Sequence, residues 1–166
     1  MAHVIKKYKM HFLLDFHYSD YWADPGQQNK PDAWKNLSFD ELKEAVHKYT
    51  YDVLYRLKIM DCAPDMVQIG NEIRSGMLFP DGAVPQYRQL AELVNEGIRA
   101  VRELLPETKV MIHLDQGGRY NCIMPWLDSM FNAGLLPIDA IGLSFYSFWH
   151  GTFMDLKDTM SRIIKL

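Results

Sequence analysis

Four short apolar runs, each closing on polar side chains and each followed by a helical pattern, constrain the fold of this chain most. The runs are Met10–His17, Met66–Glu72, Lys109–Asp115 and Ala140–Tyr146. After the first, Ser38-Phe39-Asp40-Glu41 reads as a capping box. The serine hydroxyl accepts from the third residue's N–H, and the glutamate reaches back. Leu42, Val46, Tyr49, Val53 and Leu57 then repeat at helical spacing. After the second run, Leu90, Leu93, Val94, Ile98, Val101 and Leu105 form an apolar stripe that Pro106 ends. A third helix is expected over Met124–Ala133 with Gly134 as its stop, and a last one over Met154–Ile164. Alternating strands and helices predict an α/β fold whose parallel sheet is joined by helical crossovers. Near-continuous apolar strands fit a sheet covered on both faces. The runs end in Asp15 and His17, Asn71 and Glu72, His113 and Asp115, Ser144 and Tyr146. One polar ending is ordinary at a helix start. Four in succession gather polar and aromatic groups at the carboxyl end of one sheet, where barrels and open α/β folds hold their sites.

Composition excludes several function classes. The 166 residues are read as one domain spanning 1–166, and 8 Phe, 4 Trp and 9 Tyr rule out a disordered chain. A net charge of −3, with no cluster of Lys and Arg, argues against nucleic-acid and anionic-membrane partners. No apolar run approaches the roughly 18 residues of a membrane span. Met1–Met10 is basic without the apolar core of a signal peptide, so the expectation is a cytosolic protein or a piece of a longer one. Cys62 precedes one strand and Cys122 follows the next. That places them at opposite ends of a parallel sheet, too far apart for a disulfide, and both are expected as free thiols.

Three motifs are specific. They are Leu14-Asp-Phe-His-Tyr-Ser-Asp20 with Trp22-Ala-Asp-Pro25, then Val67-Gln-Ile-Gly-Asn-Glu72 with Gly76-Met77 and Pro80, then Gly142-Leu-Ser-Phe-Tyr146 with Trp149-His-Gly151. In this order, over nearly the whole chain, they resemble glycoside hydrolase family 53, the endo-β-1,4-galactanases that cut type I arabinogalactan. The resemblance implies a TIM-type (β/α)8 barrel, retaining double displacement, and an acid/base glutamate after an asparagine at the end of strand four. Asn71-Glu72 matches that position. The four (β/α) units would then be half of the barrel, strands three to six. The resemblance also implies secretion or a periplasmic or cell-surface location, without a sorting signal in this chain to support it.

The residues also speak for themselves. Glycosidic cleavage needs a carboxylic acid to protonate the leaving oxygen and a second carboxylate as nucleophile or base. Glu72 directly follows an apolar strand, and partial burial at such a mouth raises a carboxyl's pKa toward acid/base use. Asn71 is a neutral donor suited to a sugar hydroxyl. Trp22, Tyr146 and Trp149 offer flat apolar faces to a pyranose ring. Asp15, His17, Asp20, His113 and Asp115 supply a polar rim, either touching substrate or holding a neighbour's rotamer. Asp15, His17 and Asp20, or His113 and Asp115, are metal-ligand types without the spacing of a closed site. No metal and no cofactor is expected. A helix-dipole role for Glu72, a non-catalytic carbohydrate-binding module, and another retaining β-glycanase such as a mannanase or cellulase are the competing readings.

An eight-unit barrel takes about 250 residues. The family pattern puts the nucleophile, a glutamate, at the end of strand seven, and no residue here matches it. Glu92, Glu96, Glu103 and Glu107 fall on or just after an outer helix. This polypeptide alone is therefore expected to bind galactan without retaining hydrolysis. A half-barrel would leave two strand edges and an apolar inner face open, to be closed by a second copy or by the remaining barrel segments.

Overall fold

The computed structural model describes residues 1–164. Its sheet has four strands, β1 (Leu13–Phe16), β2 (Met66–Ile69), β3 (Lys109–Leu114) and β4 (Ala140–Leu143), in the spatial order β1-β2-β3-β4 and all parallel. Six helices accompany them: α1 (Ala2–Lys7), α2 (Phe39–Ile59), α3 (Tyr87–Leu104), α4 (Tyr120–Asn132), the single turn α5 (Ser147–His150) and α6 (Phe153–Ile163). A two-residue antiparallel ladder pairs Gly76–Met77 with Gly82–Ala83 on the way to α3.

The local signals act as their chemistry dictates. Ser38 Oγ accepts from the Glu41 N–H, and the Glu41 carboxylate accepts from the Ser38 N–H at 2.8 Å, so the capping box starts α2. A second capping box, Thr152 with Asp155, starts α6. Gly134 takes φ +90° just after α4, the left-handed stop that glycine supplies without a Cβ clash. α4 begins at Tyr120 rather than near Met124, one turn upstream of the expected start. β4 ends at Leu143, leaving Ser144–Tyr146 as the connection into α5.

Period-two alternation separates the two faces of the sheet. Phe16, Val67, Ile69, Val110, Ile112 and Leu114 point to the helical layer and are buried. There they meet Leu42, Val46 and Leu54 of α2 and Leu90, Leu93, Val94, Ile98 and Val101 of α3 in one core cluster. Each such fully buried side chain contributes about 1.5–3 kcal/mol of transfer free energy. At Gly97 a Cβ would stand 2.9 Å from both Ile69 Cγ2 and the Tyr18 hydroxyl, so glycine there lets α3 press onto the sheet.

The opposite face corrects an expectation. It is not an open apolar surface: Asp15, Gln68 and His113 interleave with Leu13, Met66 and Met111. Register sets Asp15 beside Gln68, Gln68 beside Met111, and His113 beside Gly142. Reading each run as apolar averaged over two faces of different chemistry. The strand edges are open as expected, β1 and β4 each pairing on one side only among the described residues. A groove lined by Leu14, Phe16, Trp34, Tyr49 and Val53 runs along β1, and one lined by Phe131, Ile138, Ile141, Leu143, Met160 and Ile163 along β4. Cys62 and Cys122 are free.

Candidate active site

At the carboxyl end of the sheet a chain of side-chain hydrogen bonds runs from β1 across β2 and β3 to the connection that follows β4. His17 Nε2 lies 3.0 Å from Asp15 Oδ2. Gln68 Nε2 donates to Asp15 Oδ1 at 2.7 Å. The same Nε2 reaches Gly70 O at 3.1 Å and Asn71 Oδ1 at 3.3 Å. Asn71 Oδ1 lies 2.8 Å from His113 Nδ1, and His113 Nε2 lies 3.0 Å from Ser144 Oγ. The loop after β1 closes over this layer. The Ala23 N–H donates to His17 Nδ1 at 3.0 Å, and Asn71 Nδ2 donates to Ala23 O at 2.7 Å.

These partners fix the proton positions. His17 Nδ1 accepts from a backbone N–H, so its ring proton sits on Nε2 and faces Asp15. Burial raises the Asp15 pKa above the ordinary carboxylate value, against the opposing pull of His17. Burial lowers the His113 pKa, while the negative charges of Glu72 and Asp15 pull the other way. Glu72 follows Asn71 directly, just past the carboxyl end of β2.

Glu72 itself is half-buried and takes the left-handed conformation, φ 51° and ψ 48°, ahead of a 3-10 turn over Ile73–Ser75. A non-glycine residue there carries backbone strain of about 1 kcal/mol that its surroundings must hold. The preceding carbonyl, Asn71 O, accepts from Gln28 Nε2 at 2.8 Å, and Gln28 is buried. Further bonds tie the same two segments. Ser75 Oγ donates to Pro25 O at 2.7 Å, the Phe79 N–H to Gln28 O at 2.7 Å, and Lys30 pairs with Asp81 at 2.7 Å. Among the described residues the Glu72 side chain makes no hydrogen bond and no ion pair.

The expected rim residues divide. Asp15, His17, Asn71 and His113 come together as described. Asp115 does not face a ligand: it is 4% exposed, and Arg74 holds it from Nε at 2.8 Å and Nη2 at 2.9 Å, a two-pronged pair that engages both oxygens. Asp20 is exposed and accepts from the Asp32 N–H at 2.7 Å, which folds its own loop rather than furnishing the site. Asp15 and His17 are bonded to each other, and no three of His, Cys, Asp or Glu are grouped to hold a metal among the described residues.

The aromatic groups form two separate platforms. Trp22 is 73% exposed and meets the His17 ring edge-on at 4.9 Å between centroids. On the β4 side Tyr146 and Trp149 are exposed and meet edge-on at 5.8 Å. Their backbone is pinned. His150 is buried with Nδ1 3.2 Å from Tyr146 N and 3.1 Å from Ser144 O, and Arg119 Nη2 donates to Trp149 O at 2.7 Å. Gly118 admits this turn, since a Cβ there would fall 2.0 Å from His150 O. In the sheet order the Trp22 platform follows β1 and the Tyr146–Trp149 platform follows β4, with the segment of Glu72 following β2 between them. Sequence reasoning missed Gln28, Gln68, Arg74 and His150. For Gln68 the signal was present: a polar residue at the inward position of Met66-Val-Gln-Ile.

The whole chain, residues 1–166, matches the model of Glycosyl hydrolase family 53. A Niallia circulans protein named for the bgaB 5′ region is 48% identical over 96% of this chain and 46% of its own length. An arabinogalactan endo-β-1,4-galactanase from Thermothelomyces thermophilus is 35% identical over 92% of this chain and 48% of its own length. The solved Ignisphaera aggregans GH53 catalytic domain superposes with a TM-score of 0.94 at 41% identity, covering 99% of this chain and 45% of that one. The chain thus spans about half the length of the relatives it matches, and its four strands are part of a TIM-type barrel.

Proposed function

The chain belongs to glycosyl hydrolase family 53, and on that premise we propose that it carries the proton-donating half of an endo-acting β-1,4-galactan hydrolase. The observation that carries the reading is the state of the three carboxyls at the sheet end. Asp15 is held by Gln68 and His17, Asp115 by Arg74, and Glu72 alone is unengaged and half-buried beside Asn71. Glu72 protonates the glycosidic oxygen as the bond from the anomeric carbon breaks. A second carboxylate attacks that carbon to give a glycosyl ester. Glu72, now ionised, then takes a proton from water, which displaces the ester.

Asp15 and Asp115 are occupied, so the nucleophile is assigned to a part of the barrel outside the described residues. The chain by itself is then expected to bind a galacto-oligosaccharide without turnover. Asn71 offers its remaining amide hydrogen to a sugar hydroxyl, and Trp22, Tyr146 and Trp149 cover pyranose faces. The grooves along β1 and β4 are the proposed seats of further barrel strands. A polymer substrate places the activity outside the cell, and no helix among the described residues is long and apolar enough to cross a membrane.

The test is to express the complete reading frame that contains these residues and assay it on galactan, mannan and cellulose. Cleavage of galactan into internal fragments is expected. Activity on mannan or cellulose alone would reject the galactan assignment.

A further inference from the structure

We propose that Gln68 and His113 are positioning residues that lock the Asn71 carboxamide, oxygen toward β3 and nitrogen toward the ligand. The role rests on the galactan reading only for its catalytic consequence. The shortest contacts favour one proton assignment. Gln68 Nε2 faces three oxygens: Asp15 Oδ1 at 2.7 Å, Gly70 O at 3.1 Å and Asn71 Oδ1 at 3.3 Å. An amide nitrogen suits this set of oxygens, one hydrogen going to Asp15 Oδ1 and the other shared between Gly70 O and Asn71 Oδ1. Asn71 Nδ2 donates to Ala23 O at 2.7 Å, so Oδ1 is the atom turned toward Gln68 and His113. His113 Nδ1 lies 2.8 Å from that oxygen and 3.3 Å from Gln68 Nε2, and the shorter contact, to an oxygen that can only accept, puts the hydrogen on Nδ1. His113 is therefore the Nδ1–H tautomer, and its Nε2 accepts from the Ser144 hydroxyl at 3.0 Å.

Donation therefore runs one way from each end. Ser144 donates to His113 and His113 to Asn71. From the other side the Ala23 N–H donates to His17, His17 to Asp15, and Gln68 to both Asp15 and Asn71. One Asn71 amide hydrogen is spent on Ala23 O, and the other is left for a ligand. A flipped Asn71 would set its NH2 against the donors of Gln68 and His113 and present an acceptor to the sugar instead. Gln68 is 3% exposed and follows the strand register, so substrate does not reach it; it acts through Asn71.

The experiment uses the complete gene product labelled with 15N-histidine, read by long-range proton–nitrogen NMR and by hydrolysis of galactan. Wild type should show His113 as the neutral Nδ1–H tautomer at pH 7. Gln68→Glu replaces a donor by a carboxylate beside Asp15. It should change the His113 state and lower kcat by about tenfold or more with little change in KM, the loss of one oriented hydrogen bond. Gln68→Asn, which keeps the amide, should recover part of the rate. A neutral Nε2–H His113 in the wild type would overturn the proposal. So would a Gln68→Glu protein with unchanged kcat and unchanged His113 spectrum. If a variant does not fold, the wild-type tautomer decides alone. If the wild type does not cleave galactan, the functional reading fails, and the tautomer still decides this one.

Discussion

The two flanks of the Glu72 site are built differently. On the β1 side the loop over residues 18–31 is bonded into the segment 68–81. Ala23 is fully buried and joined to both His17 and Asn71, Gln28 holds the Asn71 carbonyl, and Ser75, Phe79 and Asp81 complete the seam. On the β4 side only the backbone is pinned, by His150 and Arg119, while Tyr146, Phe148 and Trp149 stand 56%, 88% and 62% exposed. The difference suits the two tasks proposed for them. A proton donor needs placement to within a fraction of an ångström. A sugar platform needs only a flat face at the right height, and its side chains can adjust to successive rings.

That contrast makes graded predictions. The largest effect belongs to the bonded flank. Gln28→Ala leaves the buried Asn71 carbonyl without its donor and frees the left-handed Glu72. It should cost about 1–3 kcal/mol of stability by urea unfolding, with a loss of kcat alongside. Equal stability and equal kcat would show that the seam does not position Glu72. Next comes the open flank. Trp149→Ala should weaken oligosaccharide binding by about 1 kcal/mol, seen as a higher KM with kcat nearly kept and the fold unchanged. A loss of stability equal to that of Gln28→Ala would erase the distinction between the flanks.

The smallest effect is in pH dependence. Burial holds the His113 pKa below its unfolded value, so the unfolded chain binds more protons as pH falls through about 6.5. His113 therefore makes stability fall as pH drops from about 7 toward 5. His113→Gln, which keeps a donor for Asn71, should flatten that part of the stability–pH curve. An unchanged slope would separate His113 from the titration.

Much of the frame was legible in the sequence because its causes are local. The Ser38–Glu41 box, the α3 stripe and the Gly134 stop depend on residues within a turn or two of each other. Four polar strand endings were enough to gather these groups at one end of the sheet, since strand direction in a parallel sheet does the gathering. The rest depended on partners far along the chain. Gln28 lies in a polar stretch with no period, and its role exists only because Asn71, 43 residues later, comes to meet it. Asp115 looked like a rim carboxylate until Arg74, 41 residues before it, was brought to its face. Gln68 was hidden by reading Met66–Ile69 as one apolar string. Its two-residue period would have separated a polar inner position from Val67 and Ile69.

The account stands on Glu72 as the proton donor to the leaving oxygen. The most direct measurement compares wild type and Glu72→Ala of the complete gene product on galactan and on an aryl galacto-oligoside whose phenol leaves readily without a proton. Galactan cleavage should fall by about 10²–10⁴-fold, the usual worth of a general acid, while formation of the glycosyl-enzyme from the aryl substrate stays close to wild type. Equal losses on both substrates, or no loss on galactan, would contradict it.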